Sequence, residues 1–100
     1  MTTRTSSVLK QAFKRFVELV KPIDDVRYVV AFEDDELDFY TFITKLDQRV
    51  SSQVHSADIV IMEEFPDLLV DFHVRYLEGR PLETFVRPLP QLVYAREHGD

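Results

Sequence analysis

The stretch from Leu46 to Leu77 constrains the fold most strongly. Leu46, Val50, Val54, Ala57, Ile61 and Phe65 recur at three- and four-residue steps, which places them on one face of a helix. The pattern stops at Phe65-Pro66-Asp67, and Leu68 to Leu77 then reads as a strand. A helix over 46–64 runs about 28 Å at ~1.5 Å per residue. A strand over 68–77 runs about 33 Å at ~3.3 Å per residue. The connection can therefore return across a whole sheet, and a right-handed crossover makes this third strand parallel to the second. Placing it beside the first strand gives the expected order 2-1-3.

The preceding residues supply the elements this unit packs against. Leu9, Ala12, Phe13, Phe16, Val17 and Val20 form one apolar face, with Lys10, Lys14, Glu18 and Lys21 opposite. The expected helix spans 6–21, with Ser6 or Ser7 as N-cap and Pro22 as its stop. From Val26 to Thr44, two β-branched and aromatic runs flank Glu33-Asp34-Asp35-Glu36, which predicts a β-hairpin. The rival reading makes 37–54 a helix and Asp58–Met62 a strand, and β-branched Ile59-Val60-Ile61 speaks for it. Two features decide against it. Residues 37–44 have little polar face if wound helically, and Thr44-x-x-Asp47 resembles a capping box just before the apolar stripe. After the turn at Glu78-Gly79-Arg80-Pro81, Pro88 and Pro90 exclude a regular helix, so 79–100 is expected to be an irregular tail, with room for one helical turn and then an extended segment.

The expected fold is a single α+β domain, an α-β-β-α-β two-layer arrangement with a three-stranded mixed sheet and two helices on one face. A chain of 100 residues with 45 % hydrophobic residues and two glycines suits a globular domain. Its net charge of −6 repels polyphosphate, so nucleic acid is not the expected partner. There is no cysteine, hence no disulfide and no thiolate chemistry. Charged residues interrupt Leu9–Val20, so no signal peptide is read there, and no apolar run approaches the ~20 residues of a membrane span. A cytoplasmic location is expected, with no membrane partner. Charge is also polarised: residues 1–22 hold five basic and one acidic side chain, residues 23–38 one basic and seven acidic. Such poles favour contact between molecules or within the fold.

The faces of the sheet carry the functional reading. With Val70, Phe72, Val74 and Tyr76 facing the helices beside Val30 and Phe32, the opposite face receives Asp71, His73 and Arg75. That face is only half polar, because Val29, Ala31 and either Tyr40 and Phe42 or Phe39 and Ile43 share it. A half-apolar face needs a cover. The candidates are the tail, through Phe85 and Arg87 among others, and a second copy or another protein. The expected function is thus a non-catalytic interaction or regulatory domain that self-associates, using Tyr40, Phe42, Asp71, His73, Arg75, Phe85 and Arg87.

Other constellations are weaker. Asp71-x-His73 could begin a metal or catalytic site, but a metal needs three or four converging ligands, and His55 and His98 have no ligand spacing. The acidic run Glu33–Asp38 lacks the glycine of a calcium loop. Glu63 and Glu64 oppose the helix dipole at a C-terminus, which marks them as possible partner contacts. Arg80-Pro81-Leu82 and Arg87-Pro88-Leu89 repeat Arg-Pro-Leu without an evident ligand. No cofactor or catalytic residue is assigned. The alternative readings are a nucleic-acid-binding domain using the basic first helix, and a small enzyme or metal-binding protein around Asp71 and His73.

Overall fold

The computed structural model describes residues 3–33, 37–45, 47–82 and 92–96, with side chains from Val8 onward. Two helices, α1 (Thr3–Val20) and α2 (Gln48–Glu64), lie on one face of a four-stranded mixed sheet. The strands are β1 (Val26–Glu33), β2 (Leu37–Ile43), β3 (Val70–Tyr76) and β4 (Leu92–Ala95), in the order β3-β2-β1-β4.

The α+β class and the hairpin of β1 and β2 agree with the sequence, and Ile59-Val60-Ile61 lies inside α2. A sheet of four strands replaces the expected three. Residues 92–95 are not irregular: they pair antiparallel with β1, Val30 opposite Val93. Arg96 fixes this strand. Its guanidinium donates to the Val26 and Ile23 carbonyls at 2.8 Å each and to the Lys21 carbonyl, tying the strand to the turn between α1 and β1, where the Ile23 carbonyl also accepts from the Val26 amide at 3.1 Å. Because β4 takes the β1 edge, β3 cannot lie there. It pairs parallel with β2 instead, Phe39 opposite Phe72, and the order 2-1-3 is corrected accordingly.

Helix boundaries also shift. Helix α1 starts at Thr3, ahead of the expected serine cap. At α2, Asp47 is the N-cap, accepting from the Arg49 amide at 2.8 Å, rather than the fourth residue of a box begun by Thr44. The Thr44 hydroxyl instead donates to the Asp25 carboxylate at 3.1 Å. Beyond β3, Glu78 and Gly79 both have positive φ, 57° and 75°, and the Arg80 amide bonds the Leu77 carbonyl at 2.9 Å. That is the backbone of a primed tight turn.

The core explains which face each strand turns inward. Phe13 and Phe16 of α1 meet Phe39 of β2 with ring centroids 5.6 and 5.7 Å apart, and Phe16 meets Phe72 of β3 at 5.6 Å. Val50, Val54, Ala57 and Ile61 of α2 close the same core. On β1 the expected assignment is reversed: Val29 and Ala31 face the helices, while Tyr28, Val30 and Phe32 face away. Both faces of β1 are apolar, so alternation alone does not choose. A pairing irregularity between Val26 and Tyr28 sets the phase, and the smaller side chains leave room for the phenylalanines of α1.

Candidate interaction surface

The face of the sheet away from the helices is an ordered grid. Register places Tyr28 beside Phe42, Val30 beside Tyr40 and Phe32 beside Asp38. On the other side of β2, Asp38 lies beside Asp71, Tyr40 beside His73 and Phe42 beside Arg75. Five sequence-predicted site residues, Tyr40, Phe42, Asp71, His73 and Arg75, therefore share one surface. Phe85 and Arg87 lie outside the described residues.

Tyr40 sits at the centre of this surface. His73 stacks on it at 4.3 Å between centroids and 15° between planes. Phe42 lies 6.3 Å away nearly parallel, Phe32 meets Tyr40 edge-on at 5.8 Å, and the Arg75 guanidinium carbon is 5.5 Å from the ring centre. A cation over an aromatic face is favoured by the ring quadrupole. His73 Nε2 donates to Asp38 Oδ1 at 3.0 Å. The imidazole is thus held by a stack and a hydrogen bond, and its carboxylate partner is Asp38 rather than Asp71. Asp38 enters the sequence reading only within the acidic run and not as the partner of His73, because that pairing depends on β3 lying beside β2. Among the described residues, no group of three or more His, Asp or Glu side chains converges as metal donors.

Leu77, buried, and Leu82, partly buried, pack on the same face against Val30 and Phe42. The start of the tail thus rests on its own sheet, and β4 returns to that sheet. Beyond β1, Val93 is 52 % exposed.

On the helical side, Arg15 meets Glu64 as a two-point fork, Nε to Oε1 at 2.9 Å and Nη2 to Oε2 at 3.1 Å. Each partner favours the charged form of the other, lowering the Glu64 pKa and raising that of Arg15. This pair answers the question raised by an acidic residue at the end of α2, and it occupies one cation of the basic helix. Asp58 is different. Its side chain is only 6 % exposed, His55 Nδ1 lies 3.3 Å from Oδ2, and Oδ1 is buried without a hydrogen-bond partner. Burial pushes the Asp58 pKa up to about 6, against the opposing hydrogen bond and charge of His55. The apolar stripe of α2 gave no hint that a carboxylate lay beside it in the core.

No described helix is long and apolar enough to cross a membrane. Comparison with protein-family models, with curated protein sequences and with solved structures finds no match for this chain.

Proposed function

We propose that this chain is a non-catalytic interaction domain that associates with a second copy of itself on the β3 side of the sheet. One observation carries the reading. Val70, Phe72 and Val74 pack on the helix side of the sheet, yet all three are only half-buried, whereas Val29, Ala31, Leu37, Phe39 and Ile43 on the two central strands are buried. Helix α2 leaves the β3 margin of the core incompletely covered. Among the described residues nothing pairs with the outer edge of β3, while β4 covers that of β1. An apolar margin beside an open strand edge is the kind of surface another strand covers. The aromatic grid beside it keeps the surface rigid, which lowers the ordering cost of association.

Sedimentation equilibrium over low to high micromolar concentration tests the reading. A mass rising towards twice that of the chain is expected. A constant single-chain mass up to high micromolar concentration overturns it.

A further inference from the structure

We infer that the contact between copies is an antiparallel pairing of β3 with β3, with its two-fold axis through His73. The inference rests on the self-association proposed above and specifies its geometry.

Hydrogen-bond direction limits the registers. The Leu77 amide bonds the Ile43 carbonyl at 3.0 Å, in step with the parallel β2–β3 ladder. In a parallel pair, alternate residues turn both backbone groups to one neighbour. Residues 71, 73 and 75 therefore bond β2, and Val70, Phe72, Val74 and Tyr76 turn their amides and carbonyls outward. The Val74 carbonyl accepts from Arg75 Nη1 at 3.2 Å, an exposed contact that pairing with a second copy replaces as Arg75 turns to the Asp71 opposite. A second β3 can bond only to those outward groups, so a two-fold axis must pass through a residue and not between two.

Charge then selects among the axes. Centred on His73, the pairing uses all 7 residues of β3. It places Asp71 opposite Arg75 of the second copy, and Arg75 opposite its Asp71. Val70 then bonds Tyr76 of the second copy, and Phe72 bonds its Val74. Opposite charges directly across a strand pair are favourable. Centring on Val74 sets Arg75 against His73 and shortens the overlap. Centring on Phe72 leaves Arg75 beyond the paired strand. Asp71 and Arg75 are exposed on one face, and Asp71 has no ion-pair partner among the described residues. An edge defended against pairing usually carries like charges such as lysines, which repel across a two-fold axis. The β3 edge instead carries opposite charges placed symmetrically about its midpoint, so it is complementary to itself.

The resulting sheet is continuous across both copies. The two Tyr40-centred grids become one surface, with His73 facing His73 at the axis.

Charge exchange tests this register. Asp71→Arg makes both flanking positions basic and Arg75→Asp makes both acidic. Both side chains are exposed, so circular dichroism should report folded proteins. Each variant alone is expected to dimerise at least about tenfold more weakly than the unaltered chain, a change of ~1.4 kcal/mol. An equimolar mixture should form a heterodimer, and the double exchange should restore the homodimer. Native mass spectrometry separates the heterodimer from the two homodimers in the mixture because their masses differ, and the double exchange is measured alone. If the unaltered chain dimerises but the single variants do so equally well, or the mixture stays monomeric, the register is wrong while self-association stands. If the unaltered chain is monomeric, both fall together.

Discussion

Replacing Asp58 with asparagine should stabilise the protein at neutral pH and do so progressively less as pH falls. The carboxyl titrates near 3.8 when exposed and near 6 in the fold, because its burial disfavours the ionised form. The folded state therefore holds its proton more tightly than the unfolded chain. Stability from this group is complete below about pH 4, declines as pH rises through about 6, and is lost above that. A displacement of this size corresponds to about 3 kcal/mol between the two protonation states. The orphaned Oδ1 is consistent with that range, since an unsatisfied buried acceptor costs about 1–3 kcal/mol, more when charged. Urea unfolding of the unaltered chain and Asp58→Asn, at intervals from pH 4 to 7.5, isolates the effect because other titrating groups are common to both. The stability difference should move in favour of the variant by about 2–3 kcal/mol across that range. Removing the imidazole with His55→Ala should shift the window to higher pH, since His55 lowers the Asp58 pKa. A difference independent of pH would refute the assignment of a proton to Asp58.

Three further substitutions probe the frame that holds the surface. Arg96→Ala removes donors from three backbone carbonyls and should cost about 2 kcal/mol in urea unfolding, with faster amide exchange at Tyr94 and Arg96. Glu78→Asn places a residue tolerant of positive φ at 57° and should add about 0.5–1 kcal/mol to thermal stability; a loss would contradict the turn geometry. Phe39→Ala empties the centre of the phenylalanine cluster, and its expected cost of about 3–5 kcal/mol is a large part of the ~5–15 kcal/mol that holds a small domain folded.

The features legible in the sequence were those set by local periodicity. Helix α2 follows from Val50, Val54, Ala57 and Ile61, and these outweigh the β-branched Ile59-Val60-Ile61 because packing of a face prevails over propensity. The alternation in β3 separated Val70, Phe72 and Val74 from Asp71, His73 and Arg75 correctly, since a strand has a period of two. What periodicity could not supply was phase and partner. Val29 to Phe32 is apolar on both sides, so only the irregularity near Val26 and the bulk of Phe13 and Phe16 decide which face turns inward. Strand β4 was hidden because four residues, Leu92 to Ala95, carry too little pattern to stand out beside two prolines. Without β4 the β1 edge would stand open to β3, whereas with β4 in place β3 takes the β2 edge. Asp38 was then missed as the partner of His73, although both residues had been singled out separately.

The outward amides of β3 give the most direct measurement. Hydrogen exchange at Phe72, Val74 and Tyr76, followed from low to high micromolar concentration, reports whether a second strand pairs with them. Protection that grows with concentration at these three amides, and not at the outward amides of Val93 and Ala95, is the expected result. Equal exchange at all concentrations would contradict association through β3, and concentration-dependent protection at Val93 and Ala95 alone would move the contact to the opposite edge.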